Sequence, residues 1–357
     1  MRTYNFSAGP SMLPSDVLEE AQRDLLNFAG TGMSVTEISH RNKAFEKIVN
    51  EGEGLLRELL HVPDDYLVIF VQGGASQQFA AVPLNLMHKG KADYLVTGNF
   101  AKKAFEEGKI YGDACCVASS QDKNYSYIPD LAAVPFREDT DYVHICANNT
   151  IFGTRYPTFP KTKAPLVADM SSDILSREID VNDFGVIYAG AQKNLAPAGV
   201  TLVIAKRSLA QDPLPICPTM LKWKVQDENK SLYNTPPCFS IYVATLVLRR
   251  LKRLGGIKAI NEINEHKAGL LYDFIDNSAF YRNDVVKEYR SIMNVPFVTP
   301  SAELDAKFVK EAAQAGLVSL KGHRLVGGMR ASIYNAMPVE GVQALVDFMK
   351  KFERDNK

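Results

Sequence analysis

The stretch Tyr188-Ala-Gly-Ala-Gln-Lys-Asn-Leu-Ala-Pro-Ala-Gly-Val200 decides how this chain is read. Ahead of it runs Phe184-Gly-Val-Ile-Tyr188 and behind it Val200-Thr-Leu-Val-Ile204. Both flanks are short, apolar and rich in β-branched residues, the signature of buried strands. Between them a loop of small residues holds a single lysine, Lys193, next to Gln192 and Asn194. Taken alone, the loop reads first as carrying a lysine that snorkels to the surface. If the loop is packed tightly over core strands, desolvation lowers the ammonium pKa and leaves a nucleophilic amine. Such an amine holds an aldehyde cofactor as a Schiff base. The rest of the chain decides between the two.

Outward from this loop, strands and helices alternate. Leu67–Gln72 reads as a core strand feeding Gly73-Gly-Ala-Ser76 and an apolar helix over Gln77–Met87. The pattern recurs with Tyr94–Thr97, Gly98-Asn-Phe100 and a helix through about Tyr111, and Ala114–Ala118, Tyr142–Ala147 and Pro165–Ala168 read as further strands. This alternation predicts an α/β fold with a mainly parallel central sheet flanked by helices, whose ligands sit at the carboxyl ends of the strands. Upstream, Ser15 is expected to cap a helix with apolar positions Val17, Ala21, Leu25 and Phe28, stopped by Gly30 and Gly32. A second helix is expected from about Asn42. Downstream, two long helices (240–254 and 257–275) flank Gly255-Gly256. Beyond them Ser291–Val298 (strand), Ala302–Ala315 (helix), Met329–Ile333 (strand) and Pro338–Phe352 (helix) form a smaller α/β layer. The expected division is a large domain over 16–258 and a small one over 1–15 and 259–357.

Composition narrows the function. The chain has 357 residues, 46% hydrophobic and 23% charged, with 41 basic against 41 acidic side chains. These are ordinary values for a soluble globular protein and do not suggest a nucleic-acid-binding surface. Basic residues are therefore read locally, as anion contacts within a site. The opening Met1-Arg-Thr-Tyr-Asn-Phe-Ser-Ala-Gly-Pro10 lacks the apolar core of a signal peptide, and no stretch approaches the roughly 20 apolar residues of a membrane span. The five cysteines (115, 116, 146, 217 and 238) lack metal spacing. Cys115, Cys116 and Cys146 fall in strand-like runs and are expected as buried, reduced thiols of a cytoplasmic enzyme.

Several residues at strand ends bear on Lys193. Asp169 closes Leu166-Val-Ala-Asp169, where a buried carboxylate needs a cation; the protonated pyridine nitrogen of pyridoxal phosphate would supply one. The same residue also suits a helix N-cap. Gly73-Gly-Ala-Ser76 opens a helix straight after a strand and suits a phosphate, although its spacing is not that of a dinucleotide fingerprint. Phe100 offers a ring to stack on a flat cofactor, or simply a core side chain. Thr150, after Ala147-Asn-Asn149, offers a hydroxyl to a ring substituent, or is a solvated turn residue. His40-Arg41, His323-Arg324 and Arg330 are the potential anion contacts, arginine being suited to bidentate carboxylate and phosphate binding. Their number matches a substrate with a carboxylate and a second, dianionic group.

Taken together, the motifs resemble the phosphoserine aminotransferase family, class V members of the fold type I pyridoxal-phosphate enzymes. The resemblance runs nearly end to end. It is carried by Asn5-Phe-Ser-Ala-Gly-Pro10, Ser39-His-Arg41, Gln72-Gly-Gly-Ala-Ser76, Val167-Ala-Asp-Met-Ser-Ser172, Ala189-Gly-Ala-Gln-Lys-Asn194 and Tyr233-Asn-Thr-Pro-Pro237. The long run Gly322-His-Arg-Leu-Val-Gly-Gly-Met-Arg-Ala-Ser-Ile-Tyr-Asn-Ala336 is the most specific. The resemblance implies pyridoxal 5'-phosphate as cofactor, with Lys193 forming the Schiff base and later acting as general base. It implies Asp169 on the pyridine nitrogen, Thr150 near the ring hydroxyl, Ala75 and Ser76 on the phosphate, and Gln192 beside the lysine. Asn234 and Thr235 would reach the cofactor phosphate of a partner subunit, making a homodimer with shared active sites. Arg330 would bind the substrate α-carboxylate, and His40, Arg41, His323 and Arg324 its phosphate.

The implied reaction converts L-glutamate and 3-phosphohydroxypyruvate into O-phospho-L-serine and 2-oxoglutarate, a step of serine biosynthesis. A four-carbon analogue, 4-phosphohydroxythreonine, would place the enzyme in pyridoxine biosynthesis as well. Two features depart from the family pattern. Phe100 stands where tryptophan is usual, with less stacking area and no indole N–H, and Ala75-Ser76 stands where some members have Gly-Arg. The competing readings are a class V aminotransferase acting on serine, alanine or glyoxylate, and a cysteine desulfurase using Cys217 or Cys238.

Overall fold

The computed structural model describes residues 2–357. Strand β1 (Tyr4–Asn5) and helices α1 (Ser15–Asp24) and α2 (Lys43–Leu60) come first. The alternation follows as β2 (Tyr66–Val71), α3 (Gly74–Leu86), β3 (Lys91–Val96), α4 (Asn99–Gly108) and β4 (Asp113–Ser119). Four strands then run without a long helix between them: β5 (Tyr142–Cys146), β6 (Leu166–Asp169), β7 (Val186–Gly190) and β8 (Thr201–Lys206). A short α5 (Trp223–Glu228) leads into α6 (Cys238–Arg253) and α7 (Gly256–Asn277). Last come β9 (Asn294–Phe297), α8 (Ala302–Gln314), β10 (Leu317–Val318), β11 (Met329–Ser332) and α9 (Val339–Asn356).

Seven strands form the central sheet in the order β2-β8-β7-β6-β5-β3-β4. Strands β3 to β7 pair in parallel, and β8 runs antiparallel to both of its neighbours. Both faces are covered, so the strands read as continuous apolar runs. In β2 the side chains alternate between two cores: Val68 and Phe70 pack with α2 and α6, Leu67 and Ile69 with α3. A third core gathers Phe6 and Met12 with the later part of α7, β9, α8, β11 and α9. Helix α7 spans the two parts, since Ile257 and Ile260 at its start belong to the sheet core and Leu271 and Ile275 to the third. Strand β1 pairs in parallel with β10, Tyr4 opposite Leu317, which ties residues 4–5 to the same part.

Some expectations are corrected. The N-cap of α1 is Pro14, already extended (φ −62°, ψ 139°), so Ser15 is the first helical residue. Its hydroxyl accepts from Arg2 at 2.8 Å instead of capping. The helix ends at Asp24, and Phe28 opens a separate 3₁₀ turn. Helix α2 does start as expected, with the Asn42 side chain accepting from Ala44 N. Cys116 is exposed and Cys115 only half-buried; β4 is an edge strand and pairs with β3 alone. Among the described residues, no helix is long and apolar enough to cross a membrane.

Candidate active site

Because β7 and β8 are antiparallel, the lysine loop is a hairpin connection whose ends are anchored mid-sheet, with Gly190 opposite Thr201. Inside it, Leu195 N and Ala196 N both donate to Ala191 O. Residues 9–11 form its floor. Ser11 N donates to Gln192 O at 2.9 Å, and the Ser11 hydroxyl donates to Lys193 O. Gly9 sits at φ +145°, and a Cβ there would lie 3.4 Å from Lys193 Cγ. On the other side Asn194 donates to Ile174 O and accepts from Asn335 N at 3.0 Å. The lysine is thus clamped along its backbone while its amine reaches the cleft. Nζ donates to Thr150 Oγ1 at 2.6 Å and lies 5.5 Å from the centre of the Phe100 ring. Burial lowers its pKa, with Arg330 pushing the same way and Asp169 and Cys146 opposing.

Asp169 ends β6 and is buried. The Ser171 N–H and hydroxyl donate to it at 2.9 and 2.6 Å. This is a tight turn, not a helix cap. Both bonds fall on Oδ1, leaving Oδ2 without a protein donor among the described residues. Burial raises its pKa, while Lys193 and Ser171 hold it down. Thr150 is buried rather than solvated.

The turn between β2 and α3 needs its glycines. Gly73 and Gly74 have φ +85° and +64°, and a Cβ on Gly73 would come within 1.5 Å of the Gln77 side chain. Helix α3 then starts with no side-chain cap, so the N–H groups of its first turn, around Ala75 and Ser76, are free for an anion. Gln72 donates to Thr235 O at 3.3 Å, which brings the Asn234-Thr235 segment beside this turn within the same chain. Phe100 lies in the first turn of α4, half-buried.

Arg330 lies on β11, and its Nη1 donates to Thr150 O at 3.1 Å. Its buried Nε has no partner, and burial lowers its pKa. His323 is pushed down by burial and then by Arg330, Arg324 and Lys103, so three cations lie close enough to act on this imidazole. None of Lys103, Arg324 and Arg330 makes an ion pair among the described residues. Lys103 went unnoticed in the sequence, although it stands one helical turn after Phe100 and its Nζ lies 5.7 Å from that ring. His40, half-buried with an unpartnered Nε2, and exposed Arg41 lie in the loop before α2, with no bond to this cluster. Ser11, Ser171 and Asn335 were also missed; polar residues in irregular segments carry no periodic signal. Burial pushes the Cys217 and Cys238 thiols up, the opposite of what a sulfur nucleophile needs.

The donor set suits pyridoxal phosphate: an amine with a depressed pKa, a buried carboxylate with one oxygen left open, an aromatic face, and a helix start with open N–H groups. Comparison with known proteins agrees. The description "Aminotransferase class-V" matches residues 3–345. A phosphoserine aminotransferase of Bacillus cereus is 55% identical, over 100% of this chain and 99% of its own. The solved phosphoserine aminotransferase of Bacillus circulans subsp. alkalophilus superposes with a TM-score of 0.98 at 47% identity, covering 100% of this chain and 99% of that one. A pyridoxal-phosphate-bound phosphoserine aminotransferase from Trichomonas vaginalis has a TM-score of 0.94 at 40% identity, covering 98% of this chain and 100% of that one. The chain belongs to the class V aminotransferase family.

Proposed function

We infer that this pyridoxal-phosphate-dependent transaminase moves the amino group between L-glutamate and 3-phosphohydroxypyruvate, giving O-phospho-L-serine and 2-oxoglutarate in serine biosynthesis. The observation that carries the substrate is the cation cluster. Arg330, Arg324 and Lys103 all act on His323 and none makes an ion pair among the described residues, while the Arg330 Nε has no partner. A substrate with only an α-carboxylate would occupy Arg330 and leave the other cations facing each other; a phosphate or a distal carboxylate satisfies them. The four-carbon 4-phosphohydroxythreonine has the same two anionic ends.

Bound pyridoxal phosphate supplies an electron sink for breaking the Cα–H bond. The protein's own residues do the rest. Lys193 would hold the cofactor at Nζ and serve as the proton-carrying base, aided by its depressed pKa. Asp169, with Oδ2 left open, would keep a ring nitrogen protonated. Ala75, Ser76 and the α3 start would hold the phosphate, Phe100 would offer its ring as a stacking face, and Gln192 and Thr150 would flank the amine. Arg330 orients the α-carboxylate, and His323 and Arg324 take the distal anion.

His40, Arg41, Asn234 and Thr235 act in a homodimer, each completing the other copy's site. Two features support this reading. The segment leading to His40 exposes Leu25, Leu26 (85%) and Met33, and the one leading to Asn234 exposes Ile216, Met220 and Tyr233. We place this homodimer in the cytoplasm, and sedimentation of a monomer at micromolar concentration would overturn the dimer. The reaction itself is tested by the visible spectrum of the purified protein. A cofactor band that bleaches on adding O-phospho-L-serine is expected, and a protein that stays colourless when given pyridoxal phosphate would rule the reading out. Arg324→Ala should impair phosphoserine turnover far more than cofactor binding; equal losses would remove it from the substrate site.

A further inference from the structure

A chain of buried polar side chains runs from the third core to Lys193, through residues with no role so far. Asn294 opens β9 and is opposite Ser332 of β11. Its Nδ2 donates to Ser332 Oγ at 3.0 Å and to Tyr334 OH at 3.1 Å. Asn148, just beyond β5, donates from Nδ2 to Asn294 Oδ1 at 2.9 Å and to Ser172 Oγ at 3.0 Å. Ser172 meets Thr150 Oγ1 at 3.1 Å, and Thr150 meets Lys193 Nζ at 2.6 Å. Asn148, Thr150, Ser172, Asn294, Ser332 and Tyr334 are all buried.

With the Tyr334 hydrogen assigned to Ala8 O and the Ser172 hydrogen to Asn148 O, the direction of every link follows. The Tyr334 hydroxyl spends its only hydrogen on Ala8 O at 2.8 Å, so it can only accept from Asn294. The amide of Asn294 must therefore turn its oxygen toward Asn148, which answers with its NH₂. Ser172 spends its hydrogen on Asn148 O at 2.9 Å, so it too can only accept, and the Thr150 hydroxyl must donate to it. Thr150 is left with lone pairs alone facing the amine. Either amide flipped the other way would set two oxygens or two NH₂ groups against each other in a dry site, which is costly.

We propose that Asn294 is a positioning residue for Lys193. Acting through Asn148 and Ser172, it holds the Thr150 hydroxyl as an acceptor toward Nζ. The device spans two cores, because Ala147 and Met170 beside it belong to the sheet core and Met293 and Tyr334 to the third. Thr150 is held from its other side by Arg330, whose Nη1 donates to Thr150 O. The strand that carries Arg330 thereby sets both the backbone and the hydroxyl of the residue touching Lys193. The proposal rests on Lys193 being the reactive amine.

An acceptor facing Nζ favours the charged amine, so cutting the relay should leave the ammonium less supported. The other groups acting on Nζ are Asp169, Cys146 and Arg330, with the Phe100 ring at 5.5 Å; none is touched by the variants. The experiment measures acylation of Lys193 by acetic anhydride against pH in the full-length protein freed of bound cofactor, read by peptide mass spectrometry, alongside kcat and KM for glutamate in the cofactor-loaded protein. Asn294→Ala and Ser172→Ala, at opposite ends of the relay, should each shift half-labelling to lower pH and lower kcat about tenfold, the size of one hydrogen bond, with little change in KM. Should Asn294→Ala fail to fold, Ser172→Ala, which removes one oxygen, carries the test. Folded variants with the wild-type labelling profile and kcat would overturn the proposal, as would a loss of thermal stability alone. If the wild-type protein transfers no amino group, the proposed function fails, yet the labelling shift still reads the relay.

Discussion

Lys193 and Lys267 are both lysines withdrawn from bulk water, one just beyond the end of an interior strand of the sheet and one on the helix that joins the two parts. Lys267, on α7, is fully buried, and its three hydrogens go to Ile333 O, Tyr334 O and Met337 O at 2.9, 2.8 and 3.0 Å. Lys193 is half-buried and has a single side-chain bond, to a hydroxyl, with a carboxylate nearby. Desolvation lowers both pKa values, that of Lys267 to about 7 with Arg250 adding to it. Burial is therefore common to the structural lysine and the reactive one. The difference lies in saturation. Lys267 has no hydrogen left to offer and pins the turn after β11, whereas Lys193 keeps its lone pair available once deprotonated.

The sharpest way to break this contrast is to exchange the two losses. Lys193→Ala should reduce amino transfer by at least about 10²–10⁴-fold, the usual share of a general base, while its urea midpoint stays close to wild type. Appreciable residual turnover would show that the reactive amine lies elsewhere. Lys267→Met should do the reverse and cost about 3 kcal/mol or more of stability, since three buried carbonyls lose their donor, read by urea denaturation. The pH dependence sharpens this. Between about pH 7 and the ordinary lysine value, the unfolded chain holds a proton at Lys267 that the folded chain lacks, so this group makes stability rise with pH. That slope should vanish in Lys267→Met.

Arg330→Ala should cost about 1.5–3 kcal/mol, roughly 10–150-fold in kcat/KM for the amino-acid substrate, with cofactor affinity nearly unchanged. The smallest effect is expected from Phe100→Trp, which should tighten cofactor retention by about 0.5–1.5 kcal/mol through added ring area, measured by cofactor titration. Weaker retention would mean that the cleft is shaped to the smaller ring.

Much of the contrast was legible beforehand, and its gaps have physical causes. The β-branched runs around Lys193 announced two strands, but nothing in an apolar run records strand direction, so the hairpin formed by β7 and β8 was invisible. The cysteine run of β4 looked buried because composition does not reveal which strand is outermost. Asp169 and Thr150 stood out because strand ends are where chemistry gathers. Lys267, in Glu265-His-Lys267, carries no local mark of burial, and its three acceptors come from a turn 66 to 70 positions away. Asn148 and Asn294 escaped notice for the same reason: a polar residue's partner 146 positions off leaves no local trace.

The pairing of β1 with β10 bears on the order of synthesis. Tyr4 and Leu317 are 313 positions apart (317 − 4), and residues 9–11, a few steps beyond β1, floor the lysine loop. A chain growing from its amino end can complete all seven strands of the sheet by Lys206 while its first segment still has nothing to pair with. Closing so long a loop adds little entropy beyond a shorter one, yet the β1–β10 pair can form only after every strand of the sheet has been made. A product truncated before β10 would leave β1 unpaired and lack Arg330 on β11, so turnover itself certifies that translation reached the far side of the molecule.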